Sequence, residues 1–247
     1  MSVSDQRFGG VFGAGAVLAV GLVFAAAIGG FAFVKGKRAD QSVTVTGSAR
    51  KRIKSDLVIW RAGISYQSSV LSEAYRSLSE SVPRVKNYLV SKGIPENQIT
   101  ISAITSQTLH ARTPEGEDTG QITGYSLRQE LEVRSNDVEK IAKIAREATE
   151  LINQGILIES LPPEYHYTKL GDLKIEMLSE AAKDAKARAQ QIAQSTGSSI
   201  GSVRSARMGV LQITPADSNE VSDSGMNDTS SLDKDITAVV NIAFSVD

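Results

Sequence analysis

The stretch that decides the fold runs from residue 57 to residue 93 and reads LVIWRAGISYQSSVLSEAYRSLSESVPRVKNYLVSKG. Apolar side chains occupy every second position at its start, which predicts a β-strand with one buried face. The spacing then changes to steps of three and four residues, which is typical of an amphipathic helix. The apolar positions of this helix are Leu71, Tyr75, Leu78, Val82, Val85 and Leu89. A strand followed by a helix that stops at Gly93 is therefore the first part of the predicted fold.

The next residues repeat this order. A strand is predicted over residues 99–104 and onward to His110, and its partner strand over residues 125–133. Asn136 and Glu139 have the spacing of a capping box. A helix follows from Val138 to Ile152, and a short strand begins at Ile156. Residues 55–160 then have the order β-α-β-β-α-β, which is the split β-α-β or ferredoxin-like arrangement.

The remaining residues predict a smaller α-β-β lobe over 161–247. A strand near Val43 also belongs to this lobe. A helix begins near Leu170 and ends at Gly197, and residues 236–246 alternate as a clear strand. The intervening residues 214–235 carry six acidic side chains against Lys234, which predicts an acidic flexible loop. The predicted fold class is α+β, with a two-lobed domain over residues 40–247.

A long uncharged segment precedes this domain. None of the 27 residues from 8 to 34 carries a charge. As a helix they would extend about 40 Å, more than the ~30 Å hydrocarbon core of a bilayer. We expect residues 1–39 to form a tail, a transmembrane anchor in the lipid bilayer and a basic flank. A cleaved signal peptide is the alternative, with the small residues at 25–27 as the cut region.

The charges that flank this span favour a cytoplasmic domain. Lys35, Lys37 and Arg38 follow the span, whereas only Arg7 precedes it. The positive-inside rule is statistical, and folded domains can cross a membrane despite flanking charge. The residues alone therefore leave the orientation open.

Small residues recur at four-residue spacing along the predicted span. They are Gly9, Gly13, Gly21, Ala25 and Gly29, and Val17 is the one interruption. Such a stripe permits close helix approach in lipid, so these residues are the candidates for membrane-helix association. Glycine and alanine are also common in membrane spans, which is the alternative explanation.

Composition excludes several classes of function. The 27 basic and 28 acidic residues give a net charge of −1, which argues against a nucleic-acid-binding protein. Cysteine is absent, so thiolate metal sites, disulfides and cysteine nucleophiles are excluded. Residues 35–61, here called the basic collar, hold eight basic side chains against two acidic ones. A solvated surface is the favoured interpretation, and contact with lipid headgroups is the alternative.

No catalytic motif is present. The sequence lacks G-x-S-x-G, a P-loop and H-E-x-x-H, and the only histidines are His110 and His166. Acidic residues are numerous, yet no pair has a spacing that implies acid–base chemistry. We predict no catalytic residue, no cofactor and no metal site.

Several short motifs resemble the SIMPL-domain family. They are Val43-Thr44-Val45-Thr46-Gly47, Lys92-Gly93-Ile94, Ile99-Thr100-Ile101, Gly124-Tyr125-Ser126-Leu127 and the alanine-rich segment 181–193 with Gly197 and Gly201. The resemblance implies a bacterial periplasmic or membrane-anchored protein without agreed catalytic residues. It further implies a link to envelope or oxidative stress, and assembly into large hollow homo-oligomers as in some members.

The resemblance favours the non-cytoplasmic side over the flanking charges. The leading hypothesis is a non-enzymatic envelope protein, anchored once in the inner membrane, whose periplasmic domain self-associates. One alternative is a binding module for a small ligand or partner protein. Another is a hydrolase that uses carboxylates.

Overall fold

The computed structural model describes residues 41–246 and, before them, residues 21, 23, 25, 26, 29 and 30. The strands are β1 (Ser42–Lys54), β2 (Leu57–Ser68), β3 (Ile99–Ile101), β4 (Thr105–Arg112), β5 (Asp118–Ser135), β6 (Ile158–Ser160), β7 (Glu164–His166), β8 (Ile200–Met208), β9 (Gln212–Pro215), β10 (Met226–Asn227) and β11 (Asp233–Val246). The helices are α1 (Leu71–Ser91), α2 (Val138–Glu147) and α3 (Leu170–Ser195), with 3₁₀ turns at Glu96–Gln98 and Ala148–Gln154. The α+β class predicted from the sequence is confirmed.

A six-stranded sheet forms around β2 and β5. Its order is β3-β5-β2-β6, with β4 also paired to β5 and β7 to β2. All of these pairings are antiparallel. The alternation in β2 determines which face meets the helices, because every second side chain of a strand points the same way.

Helices α1 and α2 pack against this sheet. The buried residues of α1 include Leu78, Val82, Val85 and Leu89, as the stripe predicts, whereas Leu71 and Tyr75 of the same stripe are exposed. Trp60 lies at the centre of the core, and its indole Nε1 donates to Ser160 Oγ at 3.0 Å. The hydroxyl therefore satisfies the polar atom of a fully buried ring.

Helix α2 starts at a capping residue one position later than the sequence suggests. Asp137 is the N-cap, and its carboxylate accepts from Lys140 N. The predicted pair was Asn136 with Glu139. Asn136 instead donates through its side chain to Asp56 O at 2.6 Å.

The chain divides into two compact units. Among the described residues, the first includes residues 41–49, 176–209 and 238–246, and the second comprises residues 50–175 and 210–237. Residues 164–166 belong to the second unit because β7 pairs with β2.

A five-stranded sheet has the order β1-β11-β9-β10, with β8 also paired to β11. In the second unit β11 pairs with β9 through residues 234–237. In the first unit it pairs with β8 through residues 240–246. Ala243 and Ser245 are buried within the single chain.

Residues 214–235, predicted as a flexible acidic loop, contain strand β10 and make fixed contacts instead. Met226 and Asn227 pair in parallel with β9. Thr229 O accepts from Tyr165 N at 2.7 Å, and Leu232 O accepts from Ser55 N at 2.9 Å. Backbone groups thus hold this segment to the rest of the second unit.

No helix within the described residues combines the length and the hydropathy that a membrane crossing requires. Most of the predicted span at 8–34 lies outside the described residues. The membrane anchor therefore stays a prediction.

Candidate functional site

Strand β8 is exposed to solvent over seven consecutive residues, from 202 to 208. Among the described residues it pairs with β11 alone, so its other edge has no strand partner there. Val203 is 56% exposed and Met208 is 62% exposed. A free strand edge presents N–H and C=O groups that can bind another strand. Strand β8 is therefore a candidate binding surface.

A β-bulge at Arg204 places the apolar side chains of β8 on one face. Residues that pair directly across two strands share a face of the sheet. The pairs are Val203 with Phe244, Ala206 with Ile242, and Met208 with Val240. In a regular strand, residues five positions apart such as Val203 and Met208 would point to opposite faces. The bulge thus extends the apolar face of β11 into solvent.

The exposed strand also carries positive charge. Arg204 and Arg207 are exposed, and neither has an acidic partner within the described part of the chain. The described residues of the first unit hold five basic and three acidic side chains. The second unit holds 18 basic and 22 acidic side chains. The two units therefore have net charges of opposite sign.

A groove of about 740 Å³ lies in the second unit, between the start of α1 and the hairpin of β4 and β5. Helix α1 packs on β2 and β5, which leaves the side of β4 next to the helix open. The groove is lined mainly by apolar and hydroxyl side chains. These residues are Ser69, Val70, Leu71, Ser72, Tyr75, Ser106, Tyr125 and Leu127. Such a lining suits an apolar ligand or an apolar strand.

Strand β4 forms one wall of this groove. Within residues 41–246, β4 pairs with β5 alone. The tip of the hairpin is acidic, since Glu115, Glu117 and Asp118 outnumber Arg112. A hydrogen bond from Gly120 N and a contact with His110 Nδ1 at 2.8 Å lower the pKa of the Asp118 carboxyl. The tip therefore stays negative at neutral pH.

Two arginines of the predicted basic collar, Arg50 and Arg52, belong to an ion-pair cluster within the second unit. Asp235 is buried and accepts from Arg50 at 2.5 Å and from Arg52 at 2.9 Å. Arg52 also contacts Asp217 at 2.5 Å. The Arg52 guanidinium, helped by Asp217 N and Arg50, holds the pKa of the Asp235 carboxyl well below its usual range. These arginines are thus engaged by the acidic segment, and a lipid-headgroup role is not needed to explain them.

A second ion pair is buried at the end of the same segment. Lys234 is 1% exposed, and its Nζ donates to Asp228 O at 2.6 Å and to Asp228 Oδ2 at 3.1 Å. Burial raises the pKa of Asp228, but bonds from Ser230 and Lys234 outweigh it and lower the pKa to about 2. Burial lowers the pKa of Lys234, and Asp228 offsets part of that effect. This ion pair has a structural role, because each buried charge compensates the other.

The two histidines lie on different strands. His110 is on β4, and His166 on β7 lies 3.5 Å from Glu164 Oε2. Within the described residues, no three His, Asp or Glu side chains are grouped so that they could hold a metal ion.

The predicted membrane-helix residues are only partly described. Gly21, Ala25 and Gly29 are helical and exposed. Gly9 and Gly13 lie outside the described residues. The association of these residues with a second helix stays a prediction.

Sequence reasoning missed the ion pairs and the bulge. Arg52 and Asp235 are separated by 183 positions, so no local pattern reveals their contact. The one available signal was the excess of positive charge before residue 61 and of negative charge after residue 214. The register shift in β8 depends on its partner strand, which the sequence of β8 alone does not specify.

Comparison with known proteins gives one family match. Residues 43–244 match the SIMPL family, described as protein of unknown function (DUF541). The 26 kDa periplasmic immunogenic proteins of Brucella melitensis and Brucella abortus are each 24% identical over 174 residues, which is 65% of this chain. The match spans 64% of the length of these relatives.

Among solved structures, a protein described as an amidohydrolase or peptidase from Burkholderia cenocepacia is similar over 53% of this chain and 32% of its own. Its identity is 11% and the TM-score is 0.23, which is too low to bear on fold or activity.

Proposed function

The chain belongs to the SIMPL family, and on that premise we propose that it is a non-enzymatic envelope protein, anchored once in the inner membrane, whose domain self-associates into a large homo-oligomer. Residues 8–34 serve as the anchor, and the domain lies in the periplasm, as the name of the Brucella relatives suggests. A role in envelope or oxidative stress belongs to the same proposal.

One observation carries the self-association. Strand β8 exposes one edge and both faces over residues 202–208. The apolar face of β8 continues a face of β11 that is buried. On β8 the same side of the sheet is exposed to solvent. A second copy of the chain would remove that apolar surface from water and pair the free edge.

The arrangement of the two lobes belongs to the same proposal. We propose a ferredoxin-like core over residues 55–160 and a smaller lobe over residues 161–247 with the strand near Val43. The order β3-β5-β2-β6 supports it, because a split β-α-β unit places its first and third strands side by side at the centre.

The experiment is a mass measurement on the full chain in detergent by light scattering. We expect a species larger than a dimer. Val203→Glu with Met208→Glu should reduce the mass, because two charges on the apolar face of β8 would be costly to bury. Ile152→Glu is the matched control, since Ile152 is 51% exposed and lies far from β8 in sequence. A monomeric wild-type chain would refute the proposal.

The groove beside α1 supports a second candidate function. Its volume of about 740 Å³ and its mixed apolar and hydroxyl lining fit a small amphipathic ligand or a peptide. Saturable binding by a monomeric chain, lost on Tyr75→Glu, would favour a binding module over a self-associating domain.

A further inference from the structure

We propose that β8 of one copy adds to the free edge of β4 in a second copy and seats its apolar face in the groove beside α1. The inference rests on the proposed self-association and specifies which surfaces meet. It makes the contact heterologous, with a strand on one copy and a groove on the other.

The two strands match in length. Strand β8 has nine residues and β4 has eight. At about 3.4 Å per residue these strands extend about 30 Å and 27 Å. A ladder of backbone hydrogen bonds can therefore form along much of β4, with interruptions at the register shifts of the two strands.

The side chains match as well. Val203, Ala206 and Met208 share one face of β8. When β8 lies beside β4, this face turns toward the groove, where Leu71 and Tyr75 are exposed. Strand addition next to a helix uses the same two elements, an open edge for the backbone and a groove for alternate side chains.

The charges favour contact between unlike surfaces. Arg204 and Arg207 on β8 would approach a hairpin whose tip carries Glu115, Glu117 and Asp118. Contact of β8 with another β8 would instead bring four unpaired arginines together. Electrostatic complementarity of this kind selects the partner surface and its orientation.

A complementation experiment tests the inference with the full chain in detergent. All proteins carry Gly21→Leu, Ala25→Leu and Gly29→Leu, so that the predicted span does not associate through its small residues. One variant is defective in the strand (Val203→Glu, Met208→Glu). The other is defective in the groove (Leu71→Glu, Tyr75→Glu). Circular dichroism checks the fold of each, and the altered residues are all exposed.

Each defective variant alone should be monomeric, with an association constant at least about 100-fold weaker than that of the reference chain. An equimolar mixture of the two should form a one-to-one dimer, because one intact strand and one intact groove remain. Ile152→Glu, added to the reference chain, should leave assembly unchanged.

Three results would overturn the inference, and they differ from failure of the proposed function. Either variant could assemble as fully as the reference chain, or both could be monomeric without forming the mixed dimer. A free peptide with the β8 sequence could also fail to compete with the mixed dimer. In each case an assembled reference chain would leave self-association standing through other surfaces. A monomeric reference chain would refute the proposed function itself.

Discussion

At the scale of single residues, close packing in the first unit depends on Gly47. A Cβ at this position would overlap the backbone oxygen of Ala181 and the backbone nitrogen of Ala185 on α3. The alanines at 181, 185, 189 and 193 are all buried, so this part of the helix presents only small side chains. Glycine opposite a stripe of alanine thus allows strand and helix to approach each other closely.

We therefore expect Gly47→Ala to lower the free energy of unfolding by about 2–3 kcal/mol, because an extra methyl group in a packed contact must displace backbone. Denaturant unfolding followed by circular dichroism measures the change. Gly171→Ala is the control, since nothing lies within 4 Å of an added Cβ there. Equal stabilities of Gly47→Ala and wild type would contradict the close approach.

The buried ion pair of Asp228 and Lys234 makes the free energy of unfolding depend on pH. The pKa of Asp228 is about 2 in the folded chain, below its value of about 4 when unfolded. The contribution is therefore complete above pH 4 and is lost as the pH falls toward 2. It amounts to about 2 kcal/mol, and Asp235 acts in the same direction.

Unfolding measured between pH 5 and pH 2 should show this loss in the wild-type chain. Asp228→Asn should be less stable at pH 7, because Lys234 would lose its buried partner. Its stability should also change less with pH over that interval. The same slope in both proteins would show that Asp228 does not titrate as described.

At the scale of elements, long periodic patterns were predictable and long-range contacts were not. The alternation of β2 and the stripe of α1 follow directly from residue spacing, because each element must bury one face. The segment 214–235 was predicted as a loop because it is acidic and polar. Its structure depends on Arg50, Arg52 and Tyr165, which lie far away in the sequence.

Whether a deletion raises or lowers the free energy of unfolding distinguishes a flexible loop from a segment that is held by its contacts. If the segment is a flexible loop, shortening it should raise the free energy of unfolding slightly, by less than about 1 kcal/mol. We expect the opposite when residues 217–225 are replaced by Gly-Ser-Gly. The deletion removes the Asp217 contact with Arg52 and the bond from Gln212 Nε2 to Ser222 O.

Thermal unfolding of the deletion variant provides the measurement. A lower midpoint than wild type is the expected result. As a control, the same linker can replace Pro114–Glu117 at the exposed tip of the β4–β5 hairpin, where the midpoint should change little. A raised midpoint for the 217–225 variant would restore the description of this segment as a loop.

At the scale of the whole molecule, the prediction concerns the side of the membrane. The periplasmic relatives and the flanking charges point in opposite directions. We expect protease added to intact spheroplasts to digest the residues that follow Val34. An antibody to the C-terminus would follow the loss of signal, with a cytoplasmic protein as the control for intact cells. Protection until lysis would place the domain in the cytoplasm.

The extra residue in β8 has a consequence for insertions and deletions. Loss of Arg204 would remove the bulge and leave Val203 four positions before Met208, so a regular strand would still place both side chains on one face. The pairing of Val203 with Phe244 would be kept as well. Among homologues, a one-residue gap at this point would therefore preserve the apolar face of β8, although the alignment would show a deletion within a strand.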